Sequence, residues 1–151
     1  KTGSLIAAAG RYGAMMSGVD PVLTNHIADF GECIGVVFQL SDDLLDIESE
    51  VSGKTPGTDL REGIKTLPVL LALADENTSE ELRNLLSGPL QDESLHARAL
   101  SELRNHPAMD QARGVLNSWA QKARDLLGNL PDIEAKTALS VLVDSVTDRK
   151  I

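Results

Sequence analysis

Gln39-Leu40-Ser41-Asp42-Asp43-Leu44-Leu45-Asp46 carries a helical repeat, and its two sides are chemically opposite. Advancing about 100° per residue, Gln39, Asp42, Asp43 and Asp46 fall in one sector. Phe30, Ile34, Val37, Ser41, Leu44 and Leu45 gather on the other side. Ala28, Gly31 and Gly35 lie one to three turns back, near the Asp side. The polar face is therefore acidic at one end and built of small residues at the other. That shape predicts an anion-and-metal site at the mouth of a groove with a smooth wall. A lone Asp-Asp-x-x-Asp also fits a plain helical bundle with a wet acid face. Against that, Asp is a poor helix-interior residue, yet three sit in the middle of this pattern. An EF-hand is excluded, because the alternating acid spacing and central Gly are missing. Three carboxylates at helical spacing suit Mg²⁺, which takes few protein ligands, keeps waters and shares phosphate oxygens.

Outward from this stretch, helical patterning continues. Aromatic residues are 3% of the chain, and no run alternates as a strand should. Lys1 to Ser17 is rich in Ala, Leu, Ile and Met, and Gly18-Val19-Asp20-Pro21 ends it. A long helix is predicted from Thr24 to about Val51, then a loop over 52–65 and a short helix over 66–75. Thr78-Ser79-Glu80-Glu81 has the form of a capping box. Prolines 89, 107 and 131 divide the remainder into helices near 92–105, 107–129 and 132–148. The fold class is all-α, a single helical domain over 1–151. Lys1-Thr2-Gly3 enters helical pattern with no cap before it, so the chain is expected to begin inside a helix, with a segment upstream.

Composition narrows the function. With 14 basic and 23 acidic residues, the formal net charge is −9, and no basic stripe with interleaved aromatics offers a nucleic-acid surface. An anionic substrate stays open, because bound cations and local lysines invert the field within one cleft. Cys33 is the single cysteine, which excludes an internal disulfide and points to a reducing, cytoplasmic setting. No apolar run approaches the length of a membrane span; at most peripheral membrane contact is expected.

The segment Gly53-Lys54-Thr55-Pro56-Gly57-Thr58-Asp59-Leu60 follows the acid helix. Its Gly and Pro residues allow a tight turn with Lys54 at the tip, within reach of the carboxylates. A surface lysine of this kind is ordinarily just solvated; next to an acid cluster it also suits a metal-bound diphosphate.

Together these stretches resemble the trans-isoprenyl diphosphate synthase (polyprenyl synthetase) family. The marks are Lys1-Thr2 opening a small-residue helix, Phe38 to Asp46, Gly53 to Leu60, and Arg61-Glu62-Gly63 leading to Thr66-Leu67-Pro68. They cover most of residues 1–75. The rest matches in its helical, acidic character. The resemblance implies the C-terminal half of an isoprenoid-synthase helical bundle around a central cavity. It implies a prenyltransferase that ionises an allylic prenyl diphosphate and couples the carbocation to isopentenyl diphosphate, building a trans polyprenyl diphosphate. By the family pattern Asp42 is a direct Mg²⁺ ligand, Asp46 acts directly or through water, and Asp43 supports them. Lys1 and Lys54 hold the allylic diphosphate, the Thr2 hydroxyl and Gln39 amide point dipoles at the developing cation, and Asp59 orients Lys54 or a metal-bound water.

Two departures stand out. Ile64 occupies a position where the family often has Lys, with Lys65 following. The family also needs two Asp-rich motifs, and one is present here. A missing N-terminal half or a partner chain is therefore expected to complete the site, dimers being usual in the family, and the 151 residues by themselves are not expected to turn over. The alternative function is a non-catalytic partner subunit of a heteromeric synthase, which could lose these carboxylates freely. His26, His96 and His106 lack metal-ligand spacing and are expected at the surface or as caps. Trp119 and Met15-Met16 are expected in the core, and Cys33 is not expected to act as a nucleophile.

Overall fold

The computed structural model describes residues 1–48 and 56–149, and among them are eight α-helices and no strand. These are α1 (Thr2–Met16), α2 (Pro21–Glu48), α3 (Thr58–Glu62), α4 (Leu67–Ala74), α5 (Glu80–Leu85), α6 (Glu93–Arg104), α7 (Pro107–Gly128) and α8 (Glu134–Thr147). The all-α expectation holds, with three local differences. The long helix begins at Pro21 instead of Thr24, because the Asp20 carboxylate accepts from the N–H groups of Val22 (2.8 Å) and Leu23 (3.1 Å). Asp20 is thus a cap, and Pro21 takes the first helical position, where its missing N–H costs nothing. The predicted loop over 52–65 contains α3. The cap of α5 is Ser79, whose hydroxyl accepts from Leu82 N–H at 3.1 Å; Thr78 instead donates to the Ala72 carbonyl at 2.5 Å.

The chain forms two compact units, with α2 and α7 each contributing to both. One comprises Lys1–Ser41 and Leu116–Lys150. Its core includes Phe30, Val37, Ala120, Ala123, Leu127 and Val143, all buried. Here α1 and α2 approach closely enough for their backbones to touch. A Cβ on Gly31 would stand 2.8 Å from Ala7 Cα, and one on Gly35 would collide with Gly3 Cα. The small-residue end of the acid helix is therefore a packing seam filled by α1, where the sequence suggested an open groove wall. Met15 and Met16 are also displaced from expectation: they are 59% and 88% exposed at the end of α1. Trp119 is half-buried, with the Lys122 ammonium 4.6 Å from its ring centre.

The other unit is Asp42–Val115, with Ile47, Leu60, Val69, Leu82, Leu103 and Met109 in its core. Two arginines close helix ends that would otherwise leave carbonyls bare. Arg83 donates to the carbonyls of Leu73 (2.5 Å), Asp75 and Thr78 (3.1 Å) after α4. Arg104 donates from Nε to Ile47 O at 2.6 Å, holding the C-terminus of the acid helix. Arg113 adds a contact to Glu48 at 2.5 Å.

Candidate active site

Ser41, Leu44 and Ile47 are buried on one side of α2, which turns Asp42 into solvent and leaves Asp43 and Asp46 half-buried. Asp46 does more than present a charge. Its Oδ1 accepts from the Thr58 N–H and its Oδ2 from the Asp59 N–H, both at 3.1 Å. Its main-chain carbonyl accepts from Gly57 N–H at 2.7 Å. Three successive amides at the start of α3 thus converge on one residue of α2, and a carboxylate there satisfies a short helix's first N–H groups and its dipole. The turn needs Gly57, whose φ of 72° is left-handed and which has His96 and Leu100 packed directly behind it.

The clasp brings a fourth carboxyl to the cluster. Asp59 is pushed up from 3.8 to about 6, first by burial and then by the charges of Asp46, Asp43, Glu62 and Asp42. The carboxylates that help to raise the proton affinity of Asp59 are charges that a divalent cation would offset. Among the described residues no three Asp, Glu, His or Cys side chains form a ready-made metal cage. That donor set suits Mg²⁺, which is content with one or two carboxylates and takes its other oxygens from water and substrate phosphate. Asp46 still has lone pairs to offer, since a carboxylate accepts about four hydrogen bonds or ligands in all.

Of the remaining predicted site residues, Thr2 and Gln39 come together. The Thr2 hydroxyl lies 3.5 Å from Gln39 Oε1, at the outer limit of hydrogen bonding. Lys1 is exposed, and its carbonyl accepts from the Ser4 hydroxyl at 3.0 Å. Lys54 lies outside the described residues. Near the C-terminus the Arg149 guanidinium stacks over the Phe38 ring, 5.0 Å from its centre, beside Gln39 in the chain.

His96 corrects the sequence reading. It is buried, 4% exposed, with Nε2 2.8 Å from the Gly57 carbonyl oxygen. His106 behaves as the expected cap: Nδ1 accepts from Ala108 N–H at 3.1 Å, and Nε2 meets the Thr78 hydroxyl at 2.9 Å. Sequence reasoning also missed the tether of α3 to α6, in which Arg61 forms a two-pronged pair with Glu93 at 2.9 and 2.7 Å. Arg61 follows the Asp59-Leu60 of the predicted loop, but nothing in the sequence names Glu93 as its partner. An open cleft of about 380 Å³ between Thr78, Ser79, Asn105 and His106 contains none of the predicted site residues.

Residues 1–103 match the family model described as polyprenyl synthetase. A nonaprenyl diphosphate synthase of Mycobacterium tuberculosis is 45% identical over 152 residues, covering 99% of this chain and 45% of the relative. A dimethylallyltranstransferase of the same organism is 39% identical, over 95% of this chain and 44% of its own. Among solved structures, geranylgeranyl pyrophosphate synthase from Corynebacterium glutamicum, complexed with calcium and isoprenyl diphosphate, superposes with a TM-score of 0.89. It is 39% identical, over 97% of this chain and 46% of that one. The chain thus spans just under half the length of the curated relatives it matches. With its acid helix, its clasped turn and a family match over two-thirds of its residues, the chain belongs to the polyprenyl synthetase family.

Proposed function

We propose that this chain supplies one diphosphate-binding half of a Mg²⁺-dependent trans-prenyltransferase, which condenses an allylic prenyl diphosphate with isopentenyl diphosphate. The observation that carries the reading is the clasp between Asp46 and the Thr58 and Asp59 amides. It sets Asp59 beside the acid face, where burial first and then the charges of Asp46, Asp43, Glu62 and Asp42 raise its carboxyl to about 6. A cation joining these carboxylates would offset their mutual repulsion.

Bound there, Mg²⁺ would offset charge on the departing diphosphate and template its oxygens. Asp42, exposed at the end of the acid face, is free to reach outward as a direct ligand. Asp46 is held by two amides, so its remaining lone pairs keep one direction, toward a ligand or its water. Asp43 adds negative charge between them. Asp59 keeps its proton up to about pH 6, and below that it donates to a water or phosphate oxygen while no cation is present. Lys1 and Lys54 are compact charges suited to phosphate oxygens; the role of Lys54 rests on its sequence position. Thr2 and Gln39 present dipoles toward positive charge as the allylic C–O bond breaks. The companion segment or partner chain supplies the second Asp-rich motif and the isopentenyl diphosphate contacts, and the assembly works as a dimer. A cytoplasmic setting belongs to the same reading, in keeping with a buried, unbridged Cys33.

The test is thermal. Mg²⁺ and inorganic diphosphate or a bisphosphonate should raise the melting temperature together, and more than either does separately. Asp42→Ala should leave the ligand-free melting temperature within the range of ordinary surface changes while removing the response. No response in the parent chain would favour a non-catalytic partner subunit.

A further inference from the structure

Resting on the reading just given, we propose that His96 is a positioning residue for the acid cluster: from α6 it pins the Gly57 carbonyl and so fixes the turn whose amides orient Asp46. A carbonyl oxygen only accepts, so at 2.8 Å the imidazole must donate from Nε2. Gly57 is then held on both sides, its carbonyl by His96 and its N–H by the Asp46 carbonyl at 2.7 Å. The next two N–H groups, of Thr58 and Asp59, each reach one oxygen of the Asp46 carboxylate. The fit has no slack: a Cβ on Gly57 would stand 2.7 Å from His96 Nε2 and 3.2 Å from Leu100 Cδ1. The far end of α3 is secured separately by Arg61–Glu93 and by Leu90 N–H to Leu60 O at 3.2 Å.

Packing does not require an imidazole here. Its buried neighbours Ala99 and Leu100 on α6 are apolar, and a leucine would fill the space without burying a polar ring. What the histidine adds is the directed N–H. Partners that orient a metal ligand are worth roughly tenfold to a hundredfold in metal affinity. His96 acts one link further away, so an effect of about threefold to tenfold is expected.

The experiment compares the full chain with His96→Leu, His96→Gln and Asp42→Ala, reading Mn²⁺ binding in the presence of inorganic diphosphate and amide exchange by NMR. His96→Leu should weaken Mn²⁺ binding about threefold to tenfold and speed exchange at the Thr58 and Asp59 amides. His96→Gln, whose side-chain amide restores a donor, should recover both. Exchange at the Leu82 amide, bonded to Ser79 elsewhere in the same unit, should not change. His96→Leu matching the parent in both readouts overturns the proposal, even if Asp42→Ala abolishes binding. Parent protein that ignores Mn²⁺, with Asp42→Ala no different, instead removes the functional reading, and the amide exchange still decides the role of His96. Should His96→Leu fail to fold, the parent decides: Mg²⁺ with diphosphate must slow exchange of the His96 Nε2 proton, and an indifferent rate overturns the proposal.

Discussion

Asp46 on α2 and Asp59 on α3 are joined through a backbone amide, the Asp59 N–H donating to Asp46 Oδ2 at 3.1 Å. One contact therefore ties down the helix after the Gly/Pro turn and sets a second carboxyl beside the acid face. The fold holds like charges together at this point, and their repulsion should be measurable.

The pH dependence of stability has a definite sign. Asp59 rises from 3.8 to about 6 on folding, chiefly through burial and then through its acidic neighbours. An acid whose folded value is raised contributes stability that is fully present below 3.8 and lost as pH rises through about 6. Metal-free protein should therefore lose stability between those values, and Asp59→Asn should flatten that part of the curve. Above pH 7 the variant should be more stable by on the order of 1 kcal/mol, since solvent screening leaves only part of the rise from 3.8 to about 6 as stability. Urea midpoints at pH 4.5 and pH 7.5 measure it. A variant curve parallel to the parent's would contradict the cause assigned.

Asp46 and Asp42 should separate sharply when each is made Asn without metal. At Asp46 an amide keeps one acceptor but turns an NH₂ toward a backbone N–H, leaving a donor unsatisfied at about 1–3 kcal/mol. Asp42 is exposed, so its change should stay within about 0.5 kcal/mol. Chemical denaturation of both variants reads the difference. Equal effects would mean that Asp46 is as wet as Asp42 and that the clasp contributes nothing.

How far the sequence reveals this depends on the kind of interaction. The acid face of α2 was legible because burial of Phe30, Ile34, Val37 and Leu44 follows the helical repeat, and a repeat can be read from one chain. Helix α3 was not legible: its five residues are too few to show a period, and it is bounded by Gly57 and Gly63 at φ 72° and 74°, residues that also mark a loop. His96 was misread because its partner is a carbonyl 39 residues away, which leaves no trace in local pattern. Met15 and Met16 were misplaced because an apolar side chain does not say whether anything covers it. Gly31 and Gly35 were read as a wall, although smallness equally permits close helix contact.

That contact supports a last expectation. Gly35→Ala would drive a Cβ into the Gly3 backbone, and Gly31→Ala would place one 2.8 Å from Ala7 Cα and 2.9 Å from Ala7 N. Backbone cannot rotate aside as a side chain can, so α1 and α2 must separate, at about 2–3 kcal/mol. Gly114, within α7, has nothing within 4 Å of its Cβ position, so Gly114→Ala should instead stabilise by about 0.5–1 kcal/mol. The seam also sets the 3.5 Å approach of Thr2 to Gln39, because Thr2 adjoins Gly3 and Gln39 lies one turn beyond Gly35. On the proposed function, Gly35→Ala should therefore lower kcat of the assembly with its companion half beyond what Thr2→Val does. Denaturation midpoints together with turnover test both halves. A Gly35→Ala protein as stable and as fast as its parent would show that the two helices have room to spare.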